Sequence, residues 1–340
     1  MNRILVTGGA GFIGSNFIHW ALSHWPAAHV VNLDVLTYAG NLANLADVED
    51  DARYTFVHGD IADAKLLDTI MGDGLDAVVN FAAESHVDRS LMSSEPFVRT
   101  NIVGTQQLLD AARRHEVGRF LQVSTDEVYG SLGSEGRFTE SRPLSPNSPY
   151  AASKAAADLL CGAYHHSFGF PVMISRCSNN YGPYQFPEKV IPLFVTNLIE
   201  GKKVPLYGDG LNVRDWIYVE DHCAALGAIV EKGKPGEVYN IGADCELTNL
   251  DLTHRILAAC GKDEGSIEYV KDRPGHDRRY AIDSAKIHSE VGWAPQHGFD
   301  DALARTVAWY REQSAWWQAI KSGEYLKYYE QQYGGRAVDR

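Results

Sequence analysis

Two short runs of this 340-residue chain hold acid, base and cation side chains at spacings that suit proton transfer. In the first, Ser124-Thr125-Asp126-Glu127-Val128-Tyr129-Gly130, two carboxylates stand side by side directly after the apolar stretch 120–124. Adjacent acids on an ordinary loop are merely solvated. At the carboxyl end of a central strand, where a parallel sheet opens its active site, the same pair becomes one base and one acid. Neighbouring like charges raise the pKa of at least one member, which suits Asp126 staying protonated as the acid. In the second run, Tyr150-Ala151-Ala152-Ser153-Lys154, a phenol and an ammonium lie four residues apart at the start of a helix, hence on one face. A phenol with a reference pKa of about 10 is a poor base, but a nearby cation lowers that value. Tyr150 can then accept a proton from a hydroxyl while hydride leaves the same carbon. The spacing alone equally describes a core tyrosine beside a surface lysine.

Hydride needs an acceptor, and the N-terminus supplies a place for one. Thr7-Gly8-Gly9-Ala10-Gly11-Phe12-Ile13-Gly14 follows the apolar run 3–7 and opens the helical stretch 13–23. Gly8 permits a tight turn, Gly11 lets the backbone approach a pyrophosphate, and Gly14 allows close helix-to-strand packing, with phosphates at the positive helix end. Asp34 lies 20 residues past Gly14, at the end of the second strand, where it can bind ribose hydroxyls and repel a 2′-phosphate. NAD is therefore expected rather than NADP.

These groups need a scaffold, and the periodicity supplies it. Apolar runs at 3–7, 30–34, 54–57, 77–81, 120–124 and 172–176 alternate with helical stretches at 64–71, 97–115 and 150–168. That alternation predicts an α/β fold with a doubly wound, parallel Rossmann-type sheet over residues 1–178, to which segments around 213–243 return. From 179 the rhythm breaks into Gly/Pro-rich sequence, so residues 179–333 are expected to form a smaller, irregular substrate lobe, with 334–340 a flexible tail. The chain is 45% hydrophobic and 22% charged, with no apolar run near the ~20 residues of a membrane span. No leader pattern is visible, so the cytoplasm is the expected compartment. A net charge of −13 argues against nucleic acid as a partner. The five scattered cysteines are odd in number and lack zinc spacing, so free thiols and no metal are expected.

The glycine loop, Tyr-x-x-x-Lys, the 124–130 run, Ala83-Glu84-Ser85-His86-Val87-Asp88-Arg89-Ser90 and Arg273-Pro274-Gly275-His276-Asp277 together resemble the extended short-chain dehydrogenase/reductase family, specifically its nucleotide-sugar 4,6-dehydratases. The resemblance covers nearly the whole chain. It implies that Phe12, Ile13, Thr37, Asp60, Ile61, Phe81, Ala82, Ala83, Ser85 and Thr100 join Gly8, Gly11, Gly14, Asp34, Tyr150 and Lys154 in binding NAD. It also implies that Thr125, Tyr150 and Lys154 oxidise sugar C4, after which Glu127 removes the C5 proton and Asp126 protonates the departing C6 oxygen. Ser85, His86, Thr125, Asn180, Glu188, Lys189, Val190, Pro205, Tyr207, Arg214, Asn249, Arg273 and His276 are implied on the nucleotide-sugar side. Arginine suits a pyrophosphate there. A dTDP rather than a UDP sugar follows from the resemblance and not from the residues. So does a homodimer through a four-helix interface bearing Val98, Ile102, Leu108, Leu109, Leu159 and Leu160. The 130–149 loop departs from the family in being short. Epimerases and decarboxylases of the same fold share Tyr/Lys but lack the adjacent Asp-Glu, and an idle NAD-binding sensor would be expected to have lost Tyr150 or Lys154.

Overall fold

In the computed structural model, which describes residues 1–272 and 277–322, strands and helices alternate as the apolar periodicity requires. The order begins β1 (Arg3–Thr7), α1 (Phe12–His24), β2 (His29–Asp34), β3 (Tyr54–His58), α2 (Ala64–Met71), β4 (Ala77–Asn80), α3 (Val87–Met92), α4 (Glu95–Phe97), α5 (Thr105–Arg114), β5 (Arg119–Thr125), α6 (Pro149–Phe168) and β6 (Val172–Cys177). It continues with β7 (Asn179–Tyr181), α7 (Val190–Ile199), β8 (Val204–Tyr207), β9 (Val213–Tyr218), α8 (Val219–Lys232), β10 (Val238–Ile241), β11 (Glu246–Thr248), α9 (Asn249–Cys260), β12 (Ile267–Val270), α10 (Ala285–Val291), α11 (Phe299–Glu312) and α12 (Ser314–Ile320).

Seven strands form one sheet in the order β10-β6-β5-β4-β1-β2-β3, every pair parallel. Strands buried on both faces are apolar runs, not alternating ones, and β4 and β6 are buried at every position. The order reverses on either side of β1, so the crevice for a ligand opens at the carboxyl ends of β1 and β4. One apolar core packs α1 and α8 on one face of the sheet, through Phe17, Ile18, Leu226 and Ile229, and another packs α5 and α6 on the other, through Leu108, Leu109 and Cys161. A third core joins α7, α9 and α11 beneath two small sheets, β11-β9-β7 and β12-β8.

The helix that carries Tyr150 and Lys154 has its limits written in its sequence. Ser148 caps α6 by accepting from Ala151 N at 3.1 Å, Pro149 opens the first turn, and Gly169 ends it in the left-handed conformation at φ 65°. Residues 97–115 are not one α-helix, because α4 passes through a π-helical turn, Val98–Gly104, before α5. The widened turn brings Asn101 inward, where its amide donates to Glu84 O at 3.0 Å and Ser153 Oγ at 2.8 Å. Of the expected pairing stripe, Leu108 and Leu109 are spent in the chain's own core, whereas Val98 and Leu159 are exposed. Within 213–243, α8 packs on the large sheet and β10 joins it, whereas β9 pairs with β7 and β11. α10 also returns, placing Ile287 and Val291 in the core beside α8.

Helices α1 and α8 approach closely because position 227 has no side chain: a Cβ there would fall 1.9 Å from the Trp20 ring. Gly227→Ala should lower stability by about 1–3 kcal/mol through overpacking, read as a lower urea midpoint. Trp20→Ala in the same chain should recover part of the loss, and an unshifted midpoint in the single variant would contradict this packing.

Candidate active site

A cavity of about 720 Å³ runs along the crevice at the strand ends. Gly8, Gly11, Phe12, Ile13, Gly14, Asp34, Thr37, Asp60, Ile61, Phe81, Ala82, Ala83, Ser85, Thr100, Tyr150 and Lys154 all line it. The three loop glycines are there for different reasons. Gly8 sits at φ +68° with Ala82 N only 2.7 Å from where a Cβ would be, and a Cβ on Gly14 would meet Gly8 O at 2.3 Å. At Gly11 the tightest protein contact is a tolerable 3.3 Å, so the protein itself does not demand glycine there. Gly11 is the uncapped N-terminus of α1, whose first turn has no acid, and it faces the cavity. Free N–H groups and a positive helix end in an open cavity fit a pyrophosphate. Asp34 spans the second strand's end, accepting from Ala10 N at 2.9 Å and Leu36 N at 2.8 Å, and burial pushes its pKa up.

Thr125, Glu127, Tyr150 and Lys154 meet on the inner wall of this cavity. Strand β5 ends at Thr125, and Asp126–Tyr129 forms a 3₁₀ turn whose first N–H groups fold back, with Glu127 N donating to Thr125 Oγ1 at 3.3 Å. Asp126 lies behind this wall, 2% exposed, and lines no cavity described here. Its Oδ1 accepts from Thr125 Oγ1 at 3.3 Å, and its Oδ2 has no partner among the described residues. Burial first, then the Glu127 and Asp215 carboxylates, drive the Asp126 pKa well above the usual range. The direction matches the sequence expectation, but burial outweighs the neighbouring charge. Lys154 Nζ is buried and donates to Val123 O at 2.7 Å, and desolvation lowers its pKa. Burial first, then the Glu127 carboxylate, raise the Tyr150 phenol well above 10, while a hydrogen bond with the Thr125 hydroxyl lowers it.

A second cavity of about 180 Å³ adjoins the first, and Glu127, Asn179, Glu188 and Lys189 line both. His86, Val190, Pro205, Tyr207, Arg214 and Asn249 line the second, while Ser85, Thr125 and Asn180 face the first. Arg214 is held by donating to Val213 O at 2.7 Å and Asp277 O at 2.9 Å, with its guanidinium 4.3 Å from the Tyr280 ring centroid. Arg273 and His276 lie outside the described residues. Sequence reasoning singled out Arg89 and Glu188 but missed what joins them to Tyr38: Arg89 stacks 3.9 Å from the Tyr38 ring centroid and pairs with the Glu188 carboxylate at 3.3 Å. It also missed Asn101, which reaches Ser153 on another element, and Gln185, whose side chain folds back to donate to Asn180 O at 2.9 Å.

The sheet order, the glycine loop and the Thr125/Tyr150/Lys154 group define an extended short-chain dehydrogenase/reductase. The family model described as GDP-mannose 4,6 dehydratase matches residues 5–306, and the chain belongs to that family. It is 56% identical over 324 residues to the dTDP-glucose 4,6-dehydratase of Streptomyces antibioticus, covering 94% of this chain and 95% of that one. A crystal structure of dTDP-glucose 4,6-dehydratase from Bacillus anthracis in complex with NAD superposes with a TM-score of 0.90 at 50% identity, over 94% of this chain and 100% of the other. The UDP-glucose 4-epimerase of Thermotoga maritima shares the fold, with a TM-score of 0.86 over 92% of this chain and 99% of the other, but at 29% identity.

Asp215, on β9 behind Asp126, is 1% exposed; Cys245 N donates to its Oδ1 at 2.7 Å, and Oδ2 has no partner among the described residues. Burial lifts its pKa from 3.8 to about 7. A carboxyl raised on folding favours the neutral form, so its contribution to stability is complete below the unfolded pKa and disappears as pH climbs through the folded value. Asp215→Asn should therefore raise the melting temperature at about pH 8 and leave it nearly unchanged at about pH 4. Equal shifts at both would show that Asp215 does not titrate in this range.

Proposed function

We propose that this chain converts dTDP-glucose to the 4-keto-6-deoxy sugar with water as the second product, using NAD as a resident cofactor. One observation carries the reading: Glu127 stands at the seam of the two cavities, next to the oxidising group Thr125/Tyr150/Lys154, with a second carboxyl buried beside it. Oxidation at C4 alone needs a phenol, an ammonium and a hydroxyl. An additional base and acid at the same place are what elimination across C5 and C6 requires. The 50–56% identity to dehydratases, against 29% for the epimerase, supports the same choice.

NAD, when bound, supplies a reversible hydride acceptor, so it is regenerated within each turnover and suits tight binding. Gly11 and the α1 N-terminus hold its pyrophosphate, Asp34 its adenosine ribose, and Lys154 and Tyr150 face its reactive end. Tyr150 takes the C4 hydroxyl proton, helped by Lys154 and by the positive charge of the oxidised nicotinamide, which together offset the burial that raises its pKa. The C4 ketone acidifies C5–H, and Glu127 removes that proton. Asp126, kept neutral by burial, supplies the proton with which the C6 oxygen leaves as water. Hydride returns to C6 and Glu127 returns its proton to C5. Arg214 pairs the diphosphate from the second cavity, where Tyr207 and Asn249 adjoin the base. His86 and Arg89 set the Glu188 carboxylate on the wall between them. The protein works in the cytoplasm as a homodimer; among its described helices none is long and apolar enough to cross a membrane, and exposed Val98, Val103 and Leu159 support a pairing surface on α6 and the π-helical turn.

Incubation with dTDP-glucose should yield the alkali-induced absorbance of a 4-keto-6-deoxy sugar, with UDP-glucose and GDP-mannose as comparators. Formation of dTDP-galactose instead, or no product from any of the three, would overturn the assignment. Glu127→Gln should cut product formation by roughly 10²–10⁴-fold, the usual worth of a general base, while bound NAD is still reduced by the sugar. Undiminished turnover in that variant would remove Glu127 from the mechanism.

A further inference from the structure

We infer that the Thr125 hydroxyl closes an internal proton circuit, passing the proton that Tyr150 takes from the sugar on to Asp126, so that the acid is recharged without solvent. This rests on the dehydratase reading above. The balance of protons creates the need. C4 oxidation leaves Tyr150 with one proton too many, and water loss leaves Asp126 with one too few. Glu127 borrows a proton at C5 and gives it back there. The overall reaction neither consumes nor releases a proton, so before the next turnover one must leave Tyr150 and one must reach Asp126.

The geometry leaves Asp126 a single route. It is 2% exposed and lines neither cavity, so bulk water does not reach it directly. Its side chain has one hydrogen-bond partner among the described residues, Thr125 Oγ1 at 3.3 Å, and its other oxygen has none. Facing it are Glu127 on its own turn, Arg214 and Asp215 on β9, Cys177 on β6 and Tyr150 on α6, which act on it through charge alone. Among the described residues, Thr125 alone both touches Asp126 and interacts by hydrogen bonding with Tyr150.

A hydroxyl offers one donor and two acceptor positions. Thr125 Oγ1 accepts from Glu127 N at 3.3 Å and donates to Asp126, which leaves one lone pair for the Tyr150 O–H. In the reset, the Tyr150 O–H bond breaks as a new bond forms to Thr125 Oγ, and the original Thr125 O–H bond breaks as a bond forms to Asp126 Oδ1. Tyrosinate at 150, a neutral Asp126 and an unchanged threonine result, with no oxidation or reduction. Burial pushes Tyr150 and Asp126 upward together, which holds the circulating proton on the pair instead of yielding it to water.

The test uses the NAD-loaded enzyme mixed rapidly with dTDP-glucose in weak buffer containing a pH indicator. The wild type should show no transient acidification during its first turnover. Thr125→Val should release up to about one proton per site after C4 oxidation, as Tyr150 resets to solvent in place of Asp126, and its later turnovers should run at least about tenfold slower than its first, since Asp126 enters the first cycle already protonated. Thr125→Ser, which keeps the hydroxyl, should show no proton transient and no gap between its first and later turnovers. A proton transient in the wild type overturns the circuit whatever the variants do, and so does a valine variant whose first and later turnovers slow equally or not at all. A wild type that makes no keto sugar would instead overturn the dehydratase reading itself.

Discussion

The structure depends on unequal burial of two neighbouring carboxyls where strand β5 ends. The strand stops at Thr125, and the short turn that follows points Glu127 into the seam of the cavities while Asp126 turns behind the wall. Two identical functional groups in identical surroundings could not serve as base and acid at one pH. Burial separates them, because removing a carboxylate from water favours the proton more strongly than a neighbouring negative charge does.

The rest of the fold places the partners of that turn. Helix α6, fixed at its start by Ser148 and Pro149, brings Tyr150 and Lys154 against the end of β5, and the Lys154 ammonium is pinned to the Val123 carbonyl on the same strand. Asn101 ties the segment after β4 to α6 through Glu84 and Ser153, so the cofactor wall and the catalytic helix share one buried bond network. From the other lobe, β9 carries Arg214 to the second cavity and Asp215 to the rear of Asp126. Thr125, Tyr150, Lys154 and Glu127 therefore converge with Arg214 on two adjoining cavities, with Asp126 behind them, as the proposed single-site, two-stage reaction requires.

What the sequence disclosed was local. The Gly8, Gly11 and Gly14 spacing, the Ser148-Pro149 start and Gly169 end of α6, and the Tyr150/Lys154 offset all act within one or two turns of chain, and each is visible without knowing what lies across the sheet. The hidden parts depend on distant partners. The π-helical turn at 98–104 leaves no periodic signature; its one sequence mark is Gly104, where a Cβ would come within 2.7 Å of Ile61. The Tyr38, Arg89 and Glu188 cluster joins three segments that no spacing links, and Asp215 reads as an ordinary strand-edge acid until β9 is placed behind Asp126. Leu108 and Leu109 satisfy helical periodicity equally well by pairing with a second copy or by packing on their own sheet, and the fold puts both in the chain's own core.

The claim at the centre is that Asp126 is neutral in the resting enzyme, and infrared difference spectroscopy of wild type against Asp126→Asn observes it directly. At about neutral pH, well above the ordinary aspartate pKa of about 3.9, the account predicts a protonated-carboxyl band that shifts in D₂O and vanishes in the asparagine variant. A difference spectrum containing only ionised carboxylate bands would contradict it.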